Sequence, residues 1–270
     1  MTKLLGVIGD PIAHSLSPLI HNGWLRDMGF NATYEAMQVP DGQFADALKL
    51  LEAREILGVN VTLPHKHAAL NASVEASQAA AKIGAANTLT FKGDGRWHAD
   101  NTDAPGFMAV LGEPSPATDK VLILGAGGSA RALVYALVNQ GYPITVLNRT
   151  VEKAKALTDE LGDEKSVYGS IKQYKDHIDK ATIVINTTSM GYSGDRLDLP
   201  AGVGRTFFDI SYGKISETQV RHAEQMGWAV KDGLTMLVAQ AAFSFEIWFG
   251  ERPSFESGLR RCRNALKAVS

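Results

Sequence analysis

Gly125, Gly127 and Ala130 stand at the spacing G-x-G-x-x-G/A, directly behind the apolar run Val121–Leu124 and at the opening of a helix expected over 129–140. Each small residue there has a task. Gly125 permits the tight turn, Gly127 lets backbone N–H groups approach a pyrophosphate, and Ala130 keeps helix and strand close. An ordinary strand-to-helix turn needs no such set, and a second strand expected over 144–147 supplies the context of a dinucleotide site. An NAD site places a carboxylate about 20 residues past the glycines, on the ribose 2′-hydroxyl. This chain has Asn148-Arg149-Thr150 there, with Lys153 one turn on. An arginine forks onto phosphate oxygens, so NADP is favoured over NAD. Thr150 can also serve as a helix N-cap.

A second set of chemistry-bearing residues precedes the glycines. In Val59-Asn60-Val61-Thr62-Leu63-Pro64-His65-Lys66, strand alternation sends Asn60 and Thr62 to one face, and Pro64 ends the strand just before Lys66. Polar side chains facing alike beside a lysine line a pocket; a lone lysine otherwise serves solubility. His65 and His67 flank it, but His-x-His without further ligands is not a metal site, so no metal is expected. Ser15 and Ser17 either cap the helix expected over 18–28 or hold a polar ligand, and the residues alone favour neither. Asp103, in Asp100-Asn101-Thr102-Asp103, is either the N-cap of the next helix or part of an acid–base cluster. Gln240 is the one conspicuous amide in an apolar helix over 234–249.

The elements that must position these residues follow from the hydrophobic pattern. Short strands are expected at 4–8, 34–39, 59–63 and 85–91, with helices at 42–51 and 73–82. From Val121 to Val230 strands and helices alternate, with strands at 121–124, 144–147, 182–185, 206–210 and 228–230 and a helix at 218–226, as in a doubly wound sheet. The loop Asn186-Thr187-Thr188-Ser189 lies at a strand's carboxyl end, where such sheets bind ligands. The fold class is therefore α/β, with a Rossmann-type dinucleotide unit. The chain has 270 residues, 45% of them hydrophobic, enough for one or two cores. A net charge of −2 gives no field for nucleic acid or anionic membrane, and Arg260-Arg261-Cys262-Arg263 reads as a solvated helix face. The single cysteine excludes an intramolecular disulfide. No signal-like or membrane-spanning run is present, so a cytoplasmic enzyme is expected, a monomer or homodimer working on a small molecule.

With these residues assembled, the chain resembles the shikimate dehydrogenase family over nearly its whole length. The motifs are Ser15-Leu16-Ser17-Pro18, Asn60 to Lys66, Ala86-Asn87-Thr88, Asp100 to Asp103, Gly125-Ala126-Gly127-Gly128, Asn148 to Thr150 and Leu237-Val238-Ala239-Gln240-Ala241. The resemblance implies two domains: a substrate domain of residues 1–103 completed by 234–270, and an NADP-binding domain of 104–233, with the active site in the cleft between them. It implies Lys66 and Asp103 as the catalytic pair, leaving open which transfers the proton. It implies substrate binding by Ser15, Ser17, Asn60, Thr62, Asn87, Tyr212 and Gln240. On the cofactor side it implies Gly125 to Ala130 (Ser129 among them), Asn148, Arg149, Thr150, Lys153, Thr187, Thr188, Ser189, Ile210 and Gly233. One departure stands out: Tyr212 is followed by Gly213-Lys214-Ile215-Ser216 rather than the family's usual nearby Thr-Pro. The implied reaction is the reversible NADPH reduction of 3-dehydroshikimate to shikimate. A broader quinate/shikimate enzyme using NAD would place a carboxylate at position 148. A metabolite-sensing module on the same fold would not need the Lys66–Asp103 pair.

Overall fold

The structure is a computed structural model that describes residues 2–112, 115 and 117–269. The chain divides into two compact units, residues 1–106 with 237–270, and residues 107–236.

The first unit is built on a six-stranded mixed sheet. Its strands are β1 (Lys3–Gly9), β2 (Ala32–Gln38), β3 (Gly58–Val61), β4 (Glu75–Ala76), β5 (Thr88–Phe91) and β6 (Trp97–Asp100), in the order β2-β1-β3-β5-β6-β4. β1 runs parallel to β2 and β3, while β5 is antiparallel to both β3 and β6. β1 is buried along its last six residues and β3 along all four, so both faces of the sheet centre are covered. The helices are α1 (Ser17–Asp27), α2 (Phe44–Glu52), α3 (Lys66–Asn71) and α4 (Gln78–Ile83). α2 buries Phe44, Leu48 and Leu51 at helical spacing against Val59, Val61 and Leu89. α5 (Asp103–Leu111) starts in this unit, and α10 (Gly233–Phe249) returns to it before α11 (Phe255–Val269). Both unit divisions thus fall inside helices.

One expected helix is shorter than its alanine content suggested. Residues 73–77 do not join it: Glu75–Ala76 pairs with β6, and the Ser77 hydroxyl accepts from the Ala80 N–H as the N-cap of α4. A pairing edge and a cap outweigh the propensity of a few alanines.

The second unit holds β7 (Val121–Leu124), β8 (Ile144–Asn148), β9 (Val167–Ser170), β10 (Ile183–Asn186), β11 (Thr206–Asp209) and β12 (Ala229–Asp232), all parallel. Their order, β9-β8-β7-β10-β11-β12, is the 3-2-1-4-5-6 winding of a dinucleotide-binding sheet. The connecting helices are α6 (Gly128–Asn139), α7 (Val151–Leu161), α8 (Tyr174–Ile178) and α9 (Lys214–Gln225). β7 and β10 are buried throughout and adjoin where the winding reverses, which makes their carboxyl ends the ligand crevice. α9 begins at Lys214, four residues before the expected start, because Gly213 turns the chain at positive φ immediately after Tyr212.

Candidate active site

Lys66 is the first residue of α3 and Asp103 the first of α5, and their side chains meet: Nζ lies 2.5 Å from Oδ2. Both are about nine-tenths buried, which makes the pair a desolvated one. Asp103 is free to make it because Asn101 takes over the start of α5. The Asn101 Oδ1 accepts from the backbone N–H of Asp103 (3.1 Å) and of Ala104 (3.4 Å), so the capping alternative for Asp103 does not hold. The second carboxylate oxygen, Oδ1, accepts from Asn87 Nδ2 at 2.9 Å.

Asn87 is in turn oriented from behind. Its Oδ1 accepts from the Thr102 backbone N–H at 2.7 Å, which turns Nδ2 toward Asp103 and toward Gln240 Oε1 at 3.2 Å. Gln240 completes its own pairing by donating Nε2 to the Leu237 carbonyl. It is therefore a buried amide paired at both ends. Asn60 joins the same buried network through Nδ2, which reaches Asn87 O (3.2 Å), Thr88 Oγ1 (3.1 Å) and Ser244 Oγ (2.8 Å). Its Oδ1 accepts from the Tyr34 hydroxyl at 2.7 Å. Burial holds the Tyr34 phenol well above its ordinary value, with the Ser17 side chain as an opposing hydrogen-bond partner. Ser17 is buried, and its N–H donates to Ser15 Oγ at 3.3 Å, so Ser15 braces the turn into α1. Thr62 follows β3 and is half-buried. His65 and His67 each bond a backbone carbonyl, of Val39 and of Gly84.

Four groups in this network escaped the sequence reading as site residues: Tyr34, Thr88, Thr102 and Ser244. Thr88 and Thr102 sit inside the quoted motifs. Tyr34 and Ser244 carry no motif; the sheet order β2-β1-β3 brings Tyr34 to Asn60, and the packing of α10 on β3 and β5 brings Ser244 there.

In the second unit, Gly125 follows β7 at φ +109°, and a Cβ there would clash with Thr187 Oγ1. Thr187 binds the Leu124 carbonyl through both its N–H and its hydroxyl, locking the loop after β10 to the end of β7. Gly127 is different. A Cβ there meets nothing within 4 Å, so the protein's own packing does not require glycine, and space remains at the start of α6. Ala130 is fully buried, while Ser129 is half-exposed. Arg149, Thr150 and Lys153 are exposed at the start of α7, and Asn148 donates to the Thr150 carbonyl. Thr150 occupies the cap position without a side-chain capping bond. Thr188 is held by Asn186 Oδ1, and Asn186 Nδ2 donates to Asp209 Oδ2. Burial raises the Asp209 carboxyl, while Asn186 and Ser211 pull it back. Gly233 donates to the Ser211 carbonyl and packs against the Ile210 backbone, which brings these two positions together. Tyr212 lies half-buried between β11 and α9.

Residues 7–89 match the family described as shikimate dehydrogenase substrate binding domain, 111–195 the one described as shikimate/quinate 5-dehydrogenase, and 233–261 the shikimate 5′-dehydrogenase C-terminal domain. A shikimate dehydrogenase (NADP(+)) of Hyphomonas neptunium is 46% identical over 272 residues, covering 100% of both chains. The chain belongs to the shikimate dehydrogenase family. Among solved members of that family, the shikimate dehydrogenase of Aquifex aeolicus superposes with a TM-score of 0.89 at 32% identity, covering 97% of this chain and 98% of that one. The Thermus thermophilus shikimate 5-dehydrogenase in complex with NADP(H) and shikimate does so with a TM-score of 0.86 at 34% identity, covering 97% and 99%. Among the described residues, no helix is long and apolar enough to cross a membrane.

Proposed function

We propose that this chain is an NADP-dependent shikimate dehydrogenase, interconverting 3-dehydroshikimate plus NADPH with shikimate plus NADP⁺. The buried Lys66–Asp103 pair carries this reading. The space beside Gly127 at the start of α6 fits a pyrophosphate, and Arg149 and Lys153, with no carboxylate at position 148, fit a 2′-phosphate. Gly125 to Ala130, the Thr187–Ser189 loop, Ile210 and Gly233 would complete that side. Bound NADP supplies the hydride chemistry; the protein aligns the reacting carbon and handles the proton on the substrate's 3-oxygen.

That proton passes through the Lys66–Asp103 pair. The Asp103 Oδ1 faces an Asn87 N–H, which can only donate, so Oδ1 is a fixed acceptor. Only Oδ2 is left to exchange a proton, and it shares that exchange with the Lys66 ammonium. Lys66 therefore donates to the ketone oxygen in the reducing direction, and Asp103 holds it in place. Asn87 and Gln240 keep the carboxylate from turning. Ser15 and Ser17 anchor the substrate carboxylate, and Asn60, Thr62 and Tyr212 also bind the substrate.

Initial rates with shikimate or quinate, each with NADP⁺ or NAD⁺, test the assignment. Turnover confined to shikimate with NADP⁺ is expected. Lys66→Ala is expected to lower kcat by about 10² or more, with a small effect on the KM for shikimate. Comparable turnover of quinate with NAD⁺, or an unchanged kcat in the variant, would refute the reading.

A further inference from the structure

Asn60 has a neighbourhood that decides which chemistry it can offer a ligand. The backbone carbonyl of Asn87 can only accept, so the Asn60 atom facing it at 3.2 Å is the NH₂ group and the amide orientation is settled. Both N–H bonds then point into the fold, toward Asn87 O, Thr88 Oγ1 and Ser244 Oγ. Ser244 is fully buried on α10 and also reaches Thr88 Oγ1 (2.8 Å), Thr102 Oγ1 (3.0 Å) and the Gln240 carbonyl (3.1 Å). At the other end, the Tyr34 hydroxyl occupies one lone pair of Oδ1. Tyr34 is itself fixed, its backbone exchanging two hydrogen bonds with the Asn22 side chain and its ring stacking on His21 at 4.2 Å. One lone pair of Oδ1 is all that remains of the Asn60 side chain.

We propose that Tyr34 and Ser244 are positioning residues that hold the Asn60 carboxamide from its two ends, so that Asn60 meets the substrate as an acceptor and reads a hydroxyl rather than the carboxylate. A carboxylate offers no proton to that lone pair and would face it as a like dipole. The inference rests on the proposed function for the identity of the ligand.

The test uses the full chain with Tyr34→Phe, which keeps the stacked ring, and Ser244→Ala, which removes a single atom. Each is expected to raise the KM for shikimate about fivefold, the effect of one neutral hydrogen bond, with kcat and the KM for NADP⁺ within about twofold of wild type. Inhibition constants for shikimate analogues lacking one ring hydroxyl, and for one carrying hydroxymethyl in place of the carboxylate, give the second readout. One deoxy analogue is expected to bind wild type and Ser244→Ala equally, while the carboxylate-free analogue still binds Ser244→Ala about fivefold more weakly than wild type. Unchanged KM values in both variants overturn the positioning role. A penalty that vanishes for the carboxylate-free analogue instead overturns the hydroxyl assignment. A folded wild type that fails to turn over shikimate refutes the proposed function, which separates that failure from this one.

Discussion

At the residue scale, the first unit joins polar side chains from β2, β3, β5, α3, α5 and α10 into one buried network, and each of its amides is oriented by a group that can play only one role. The Thr102 N–H can only donate, so Asn87 Oδ1 faces it; the Leu237 carbonyl can only accept, so Gln240 Nε2 faces it. Pre-set amides of this kind avoid reorganisation when a ligand binds. His21 lies behind this network and is held differently. It is surrounded by the rings of Trp24, Tyr34, Phe245 and Trp248, and its Nε2 has no hydrogen-bond partner among the described residues. Burial therefore pushes its pKa down from 6.5 to about 3. The unfolded chain takes up a proton at this residue below pH 6.5 and the folded chain does not. The stability it contributes is thus present above pH 6.5 and lost as pH falls toward 3. Between pH 7 and pH 5 the loss amounts to about 2 kcal/mol. Urea unfolding at the two pH values should show a wild-type drop of that size, and His21→Phe should remove most of it; an equal drop in both proteins would mean other groups dominate.

At the scale of the element, the turn from β7 into α6 separates what the fold requires from what a ligand requires. Gly125 has positive φ and no room for a Cβ beside Thr187, so its glycine serves the fold. Gly127 has φ −89° and open space at its Cβ position, so alanine fits there without strain. Gly125→Ala is expected to lower the unfolding free energy by about 1–3 kcal/mol. Gly127→Ala should leave stability within about 0.5 kcal/mol and still weaken NADP⁺ binding tenfold or more, because its methyl group would stand where the pyrophosphate approaches. Urea titrations together with NADP⁺ binding isotherms read both effects. A Gly127→Ala protein that binds normally would remove the pyrophosphate from this turn.

At the scale of the whole molecule, the chain crosses between its units twice, inside α5 and inside α10. Of the residues proposed to bind substrate, Ser15 to Asp103 and Gln240 belong to the first unit and Tyr212 to the second, which also holds the proposed cofactor residues of the glycine turn, Arg149 and the Thr187–Ser189 loop. Ligands should therefore protect different segments. Hydrogen exchange is expected to slow with shikimate chiefly in residues 2–106 and 237–269, and with NADP⁺ chiefly in 107–236. A ligand at about 100 times its Kd should add about 2.7 kcal/mol of stability. Protection by NADP⁺ confined to the first unit would contradict the proposed assignment of Arg149 and Gly127.

The sequence alone determined the elements whose signals are local. The apolar runs Val121–Leu124 and Ile183–Ile185, the glycine spacing and the alternation of strands and helices follow from backbone sterics and burial, which act over a few residues. The same locality made Lys66, Asp103, Asn60 and Gln240 visible as candidates, since each is a polar residue where its surroundings are apolar or turn-forming. Only the tertiary structure decided what these residues touch. Asp103 could equally have capped α5, and nothing within its own turn predicted that Asn101 would do so and release the carboxylate to Lys66. Tyr34 and Ser244 read as ordinary residues of a strand and a helix. Their roles come from hydrogen bonds to Asn60 that span 26 and 184 positions of chain, and contacts of that separation leave no periodic trace in the sequence.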